Sequence, residues 1–215
     1  MKKIAVVLSG SGVFDGTELN EAVLTFLALE QHQLSYETFA PNIAQAHCVN
    51  HYSGEVVEEQ RNVLVEANRI TRSTTQDLDE LNPDNFDALL FVGGFGAAKN
   101  LSNFAFTEGE YEVLPSVKAL IERFHQDNKF IVALCITPVL LANVLSGVTL
   151  TLGKDKDIAA LMQSKGHTHI DCPTEDCVVD QANRLITTPA YMTAQSVLDA
   201  HLGIQATVKV LAERI

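Results

Sequence analysis

Short apolar runs alternate with amphipathic segments along this chain. The runs KIAVVL (3–8), DALLFV (87–92) and FIVAL (130–134) have the length and the apolar content expected of buried strands. Residues 16–32 carry apolar side chains at helical spacing, and residues 113–128 are predicted to form another helix. Strands that alternate with helices indicate a parallel sheet covered by helices, which is an α/β fold.

The remaining segments continue this alternation. Further strands are predicted at 35–41, at VTLTL, around CVVD and around RLITT. Further helices are predicted at 58–71, at 137–145 with Pro138 in the first turn, near DIAALMQSKG and near 192–213. Residues 42–58 are expected to form a loop or hairpin, and the glycine-rich stretch GGFGAAKNLSNF a loop. No repeat or linker divides the chain, so we expect residues 1–215 to form a single domain.

Composition and charge narrow the possible partners. Hydrophobic residues make up 47% of the chain and charged residues 20%, as in ordinary soluble proteins, and the formal net charge is −12. A phosphate backbone or an anionic membrane would repel such a chain. The apolar run after the first two lysines stops at Leu8, which is too short for a secretory signal, and no stretch has the length of a membrane span. We therefore expect a cytoplasmic protein that binds neither nucleic acid nor a membrane.

The cysteines and glycine-rich loops give no sign of a metal or a cofactor. The four cysteines form no C-x-x-C pair and have no histidines at metal spacing, so they are expected to be free thiols. Neither glycine-rich loop is a P-loop. GSGVFDG is one residue longer than the dinucleotide fingerprint, and GGFGAAK has Lys99 in the place of its third glycine. We expect no cofactor, although a dinucleotide-dependent oxidoreductase stays open as an alternative.

Cys135 lies between the strand at 130–134 and the helix at 137–145. One interpretation is a small residue of the core, since free cysteine is often buried. The other is a nucleophile at a sharp strand-to-helix turn, at the sheet edge where open α/β folds bind ligands. The N–H groups at the start of the helix would then lower the pKa of the thiol. The N–H groups of Ile136 and Gly94 could bind an oxyanion formed by attack of the sulfur.

An acidic partner for this cysteine is expected after the first strand. The segment DGTELNE provides Asp15, Glu18 and Glu21, and the two glutamates lie three residues apart on one helical face. Either glutamate could instead be an acid that stabilises the start of the helix.

Several of these segments resemble those of a known family. LLFVGGFGAAKNLSNF and KFIVALCITPVLLANVL resemble the ThiJ/PfpI superfamily (Parkinson-associated deglycase-like), whose relatives are the class I glutamine amidotransferases. VVLSGSGVFDGTELNEAVLTFLAL, CVNHYSGEV and ITTPAYMTAQ are similar to its ElbB glyoxalase-like branch, so that the resemblance covers essentially the whole chain. It implies a flavodoxin-like three-layer sandwich with a mostly parallel central sheet and a cysteine nucleophile elbow. The nucleophile would be Cys135, and its acidic partner Glu21, with Glu18 as the second choice.

The resemblance also implies an activity. Members studied as enzymes convert small dicarbonyls such as glyoxal to hydroxy acids without a cofactor, or are argued to reverse early glycation, and relatives are often homodimers. Gly93, Asn100 and His169 are further candidates for the pocket. Because Ile136 follows Cys135 and no histidine occurs between His125 and His167, ammonia transfer and proteolysis are not expected. A non-catalytic redox sensor or regulator that uses the same cysteine is the alternative.

Overall fold

The apolar runs become the strands of one seven-stranded sheet. The computed structural model of the protein describes residues 2–215. The strands are β1 (Lys3–Val7), β2 (Ser35–Ala40), β3 (Cys48–Val49), β4 (Val56–Val57), β5 (Gln76–Asp77), β6 (Ala88–Phe91), β7 (Phe130–Leu134), β8 (Thr149–Leu150), β9 (Thr168–His169), β10 (Val178–Asp180) and β11 (Leu185–Thr188). The large sheet has the order β10-β11-β7-β6-β1-β2-β5, and β3–β4 and β8–β9 form two small sheets.

Within residues 2–215, seven α-helices connect and cover these strands. They are α1 (Leu19–Gln31), α2 (Val63–Thr71), α3 (Phe95–Lys99), α4 (Pro115–Gln126), α5 (Pro138–Val144), α6 (Lys156–Ser164) and α7 (Val197–Ala212). Within the large sheet only β10 pairs antiparallel with its neighbour β11, and every other pair is parallel. The predicted α/β class with a mostly parallel sheet is confirmed.

The core consists of two apolar layers, one on each face of the sheet. Side chains alternate along each strand, so that Val7 faces one layer and Val6 the other. The first layer contains the buried faces of α4 and α5, and the second contains those of α1, α2 and α7. The helices therefore cover both faces of the sheet, as in a three-layer sandwich.

The register of the sheet brings three strand ends together. Ile4 of β1 lies opposite Ala88 of β6, and Ala88 lies opposite Phe130 of β7. Because these strands are parallel neighbours, the segments that follow them leave the sheet at the same carboxyl edge. Ligands of open α/β sheets bind at this edge.

Two local features differ from the sequence-based expectations, whereas residues 42–58 contain the β3–β4 hairpin that was one of the two expectations for them. The glycine-rich stretch after β6, expected to be a loop, contains the short helix α3. Helix α2 begins at Val63, later than expected, because the side chain of Asn62 accepts the N–H of Val65 and so caps the helix there. Within residues 2–215, no helix is both long and apolar enough to cross a membrane.

Candidate active site

Cys135 occupies a sharp turn between β7 and α5. Its φ is +60°, in the left-handed region that few residues other than glycine adopt. The N–H of Cys135 donates to the carbonyl oxygen of Thr188 in β11 (3.0 Å), and the hydroxyl of Thr137 donates to the carbonyl oxygen of Leu134 (2.8 Å). These bonds hold the strained turn that the sequence predicts, with the sulfur at the carboxyl edge of the sheet.

Two backbone N–H groups, those of Gly94 and Ile136, face the sulfur of Cys135 and favour its thiolate. Gly94 begins α3 with a φ of +105°, and a Cβ atom on it would collide with the backbone of Gly16 and Glu18. A Cβ atom on Gly93 would collide with the carboxyl group of Glu21 and with the Cβ atom of Cys135. Two successive glycines therefore let the loop after β6 approach the cysteine.

Glu21 is the acid that reaches the cysteine. The carboxylate of Glu18 accepts the N–H of Glu21 (2.6 Å) and caps α1, which turns Glu21 into the protein interior. Glu21 is fully buried, and its Oε1 accepts the N–H of Tyr191 (3.1 Å). Its Oε2 makes no well-aligned hydrogen bond within the described residues, and Cys135 lies beside it. The structure thus assigns different positions to the two glutamates that the sequence left open.

Burial dominates the electrostatics of both groups. It raises the pKa of Glu21 to about 7. The N–H groups of Tyr191 and Gly93 lower this pKa, and the nearby charge of Glu18 raises it, but burial is the largest effect. It also raises the pKa of the Cys135 thiol well above its usual range, and the charge on Glu21 adds to this rise. The expectation of a lowered thiol pKa is therefore wrong. The helix N–H groups do favour the thiolate, but they are outweighed by burial and by the neighbouring acid.

Cys135 and Glu21 therefore titrate as a pair. The first proton leaves near pH 7, where Glu21 titrates. The negative charge that then remains is shared between two groups. The carboxylate of Glu21 accepts the N–H of Tyr191, and the sulfur of Cys135 faces the N–H groups of Gly94 and Ile136. Above pH 7 the pair therefore holds one proton, which can pass between sulfur and carboxylate.

A cavity of about 270 Å³ opens above the cysteine. Its lining residues are Val13, Glu18, Gly94, Phe95, Ala98, Phe104, Ala105, Cys135, Ile136, Asp155, Ile158, Tyr191 and Met192. A small electrophile in this cavity would have access to the sulfur and to the N–H groups of Gly94 and Ile136. The thiol of Cys135 and the residues Gly94 and Ile136 thus meet at one cavity, and the carboxyl group of Glu21 lies beside the thiol but outside the lining.

Two of the sequence-based pocket candidates lie elsewhere. The amide of Asn100 accepts the N–H of Ala46 and donates to the carbonyl oxygens of Ser9 and Asp15, so it fastens three loops together. The side chain of His169 is buried against β8, where its Nε2 accepts the N–H of Leu152 (3.1 Å). Both side chains are used in these structural contacts, and neither lines the cavity.

Sequence reasoning missed the part that the segment after β11 plays in the site. Thr188 and Tyr191 come from the stretch ITTPAYMTAQ. From the sequence, this stretch indicated only the family resemblance and no site residue. Thr188 accepts the N–H of Cys135, and Tyr191 donates its own N–H to Glu21. Because both contacts use backbone atoms, no side-chain pattern could have revealed them. Among residues 2–215, no cluster of three or more histidine, cysteine or acidic residues could hold a metal ion.

A family model described as the DJ-1/PfpI family matches residues 2–200. The chain belongs to the DJ-1/PfpI family. The human glutamine amidotransferase-like class 1 domain-containing protein 3, mitochondrial, is 39% identical, and the match covers 98% of this chain and 82% of the human one. The ES1 protein, mitochondrial, of Danio rerio is 30% identical over 88% of this chain and 76% of its own. The recognition of the ThiJ/PfpI family from its motifs is confirmed.

A solved structure has a similar fold over the whole chain. The isoprenoid biosynthesis protein with amidotransferase-like domain from Ehrlichia chaffeensis superposes with a TM-score of 0.92 at 38% sequence identity, over 99% of both chains. The expectation of a cytoplasmic location is contradicted, because the human and Danio rerio relatives are both mitochondrial by name. The short apolar start on which this expectation rested addresses only secretion.

Proposed function

We propose that this chain is a cofactor-independent glyoxalase, which converts a dicarbonyl to a hydroxy acid. The DJ-1/PfpI family includes enzymes. The observation that carries the proposal is the buried pair of Cys135, which lines an open cavity, and Glu21, which lies beside its thiol. An acid that titrates near neutral pH beside a thiol is suited to move protons at physiological pH.

The reaction begins when the sulfur attacks the aldehyde carbon of the substrate. The S–C bond forms as the carbonyl π bond breaks, which gives a hemithioacetal oxyanion. The N–H groups of Gly94 and Ile136, which face the sulfur in the free protein, then lie beside this oxygen. The proton of the pair stays on Glu21, which has now lost the neighbouring thiolate charge.

Glu21 completes the conversion by moving protons between two carbons. It protonates the oxyanion, removes the hydrogen from the carbon bonded to sulfur, and returns a proton to the neighbouring carbon. The sulfur-bearing carbon is thereby oxidised to a thioester while its neighbour is reduced to an alcohol. Water then cleaves the thioester, which releases the hydroxy acid and restores the thiol. For glyoxal the product is glycolate, and no external oxidant or reductant is needed.

A glutaminase reaction is less well supported, although two of the relatives are named for a likeness to amidotransferases. A cysteine glutaminase uses a histidine beside the thiol as its base. Within the described residues, no histidine lines the cavity. The acid beside the thiol is Glu21 instead, and this supports Glu21 as the base of the proposed reaction.

Redox sensing by Cys135 is the alternative function. Oxidation of a thiol by peroxide follows its thiolate character and its exposure. Cys135 is only 8% exposed, and burial raises the pKa of its thiol. The low exposure favours a reaction with a substrate enclosed in the cavity over a reaction with dilute peroxide.

The proposal is tested by the loss of glyoxal and the formation of glycolate. We expect Cys135→Ala to reduce turnover to the uncatalysed rate, and Glu21→Gln to lower kcat by about 10²- to 10⁴-fold. Cys177→Ala, which removes another thiol outside the cavity, serves as the matched control and keeps full activity. Equal rates for the wild type and Cys135→Ala would refute the mechanism. Selective peroxide oxidation of Cys135 without turnover would favour the sensor.

A further inference from the structure

The cavity above Cys135 is larger than glyoxal requires. A water molecule occupies about 30 Å³ in the liquid, so a cavity of about 270 Å³ has room for about nine water molecules. A two-carbon dicarbonyl fills less than half of that space. The remainder would hold water, which an active site that forms a thioester needs to exclude until the hydrolysis step.

The side chains around this space are mostly apolar. Phe95, Phe104, Ile158 and Met192 surround it, together with smaller apolar residues. Phe95 is 48% exposed, although it belongs to a loop and helix that otherwise pack tightly. Covering such side chains releases free energy in proportion to the apolar area removed from water. Glyoxal is small and polar, so it would leave most of these apolar side chains exposed to water.

The charges around the cavity disfavour anions. No lysine, arginine or histidine among the described residues lines it. Lys99 lies 5.7 Å from the ring centre of Phe95, but its ammonium group donates to the carbonyl oxygen of Phe14, outside the lining. Two acids, Glu18 and Asp155, do line the cavity, and each uses one carboxylate oxygen to cap a helix. A carboxylate or phosphate on the substrate would therefore be repelled by these acids and would find no basic side chain to pair with.

We propose that the substrate of this site is an uncharged 2-oxoaldehyde with an apolar substituent about the size of a phenyl ring. This inference rests on the proposed function for the reaction and on the cavity for the substituent. The aldehyde carbon bonds to the sulfur of Cys135, and the substituent lies among Phe95, Phe104 and Ile158. With phenylglyoxal and one water molecule, the products are hydroxyphenylacetate and one proton, by the same internal transfer of hydrogen.

Alkylation of Cys135 tests the cavity without requiring turnover. The rates of two 2-bromoketones, bromoacetone and 2-bromoacetophenone, are measured at Cys135 by peptide mass spectrometry and divided by their rates with N-acetylcysteine. We expect the phenyl reagent to be favoured by at least about tenfold after this correction. Iodoacetamide is expected to be favoured over iodoacetate by at least about tenfold on the same scale.

Three variants connect these preferences to the cavity. Ala105→Phe places a ring at the exposed edge of the lining, and we expect it to remove most of the preference for 2-bromoacetophenone. Thr107→Phe adds the same ring to the same exposed loop outside the lining, and it is expected to leave the preference unchanged. Asp155→Asn keeps a good helix cap and removes the charge, so the iodoacetate rate is expected to rise about two- to fivefold.

The turnover experiment then separates the two proposals. The substrate inference predicts a kcat/KM for phenylglyoxal at least about tenfold above that for glyoxal. If Cys135 shows the alkylation preferences but no dicarbonyl is turned over, the glyoxalase proposal fails and the inferred ligand class stands. If Cys135 shows neither preference, or Ala105→Phe and Thr107→Phe behave alike, the inferred ligand class is overturned even where glyoxal is consumed.

Discussion

At the scale of single residues, burial decides the chemistry of Cys135 and Glu21. A helix N-terminus or a hydrogen bond shifts a charge equilibrium by about 0.3–2 kcal/mol, or about one pKa unit. Complete burial can shift a pKa by about 3–5 units. Sequence reasoning could identify the helix N–H groups but not the depth of the site, and it therefore gave the wrong direction for the thiol.

The choice between Glu18 and Glu21 also depends on information that the sequence lacks. Both lie at the start of α1 and both are acids that favour a helix N-terminus. Only the cap formed by Glu18 fixes which of them turns inward, and this leaves Glu21 as the fully buried acid beside Cys135. The sequence thus predicted the kind of residue and its element, but not the individual residue.

Glu21 is expected to make the stability of the protein depend on pH. Its pKa rises from 4.5 in the unfolded chain to about 7 in the folded one, so the folded state binds the proton more tightly. The stabilisation is complete below pH 4.5 and is lost as pH rises to 7. Glu21→Gln stays neutral throughout. Its free energy of unfolding, relative to the wild type, should therefore increase by about 2–3 kcal/mol between pH 5 and pH 8 in urea titrations.

The matched control for this prediction is Glu58→Gln, which changes an exposed glutamate in the loop before α2. Its stability relative to the wild type is expected to be the same at both pH values. If Glu21→Gln also shows no change between pH 5 and pH 8, then Glu21 is not the buried acid that titrates near neutral pH.

At the scale of elements, the apolar pattern predicted six of the seven strands of the large sheet, but it missed β5 and α3. Residues 130–134 form β7 with the predicted limits. A continuous apolar run of five residues has the length of a buried strand and is too short for a typical buried helix. Helix α3 follows two glycines, and its first N–H groups donate to the carbonyl oxygens of Val13 and Gly16. These contacts join segments that are far apart in sequence. A local pattern therefore does not contain them.

The junction between β6 and α3 is expected to tolerate no side chain at Gly93. In Gly93→Ala, the methyl group collides with Glu21 and Cys135, which must move apart. We expect a loss of about 1–3 kcal/mol in the free energy of unfolding and at least about a tenfold slower alkylation of Cys135. The unfolding curve and the alkylation rate check the two effects separately.

Gly54→Ala is the control, because it replaces a glycine at a position where the new methyl group collides with nothing. Gly54 has a φ of +77° and open space around its Cα atom, so alanine there adds only backbone strain. We expect Gly54→Ala to lower the stability by about 1 kcal/mol and to leave Cys135 reactivity unchanged. A similar loss of reactivity in both variants would mean that Cys135 responds to stability in general, and not to the spacing at Gly93.

At the scale of the whole molecule, the homodimer expected from the family resemblance stays a prediction. Helices α1 and α7 lie side by side and expose apolar side chains. These are Leu19, Val23, Leu27, Val197, Leu198 and Leu202. No lysine, arginine or glutamate lies between Leu19 and Leu27 on the exposed face of α1, although the chain has a net charge of −12. A helix face without charge, as on α1, suits a second copy of an acidic chain, since the same face on both copies can pair without repulsion.

Sedimentation velocity tests the dimer directly. Leu198, which is 63% exposed on α7, is replaced by glutamate, and Val65, which is 60% exposed on α2, is replaced in the same way as the control. We expect a dimer for the wild type and for Val65→Glu, and a monomer for Leu198→Glu, because the two new charges would meet in the interface. A wild-type monomer, or a dimer in both variants, would contradict the assignment of this surface.

The central claim is that Cys135 and Glu21 share one proton above a pH near 7. The most direct test is the rate of iodoacetamide alkylation of Cys135 against pH, followed by peptide mass spectrometry in the wild type and in Glu21→Gln. We expect the wild-type rate to rise about tenfold per pH unit up to about pH 7 and then to level off. Glu21→Gln should lack this inflection and gain reactivity only in alkaline solution. Identical profiles for the two proteins, or a wild-type rate that first rises in the range of an ordinary thiol, would contradict a shared proton.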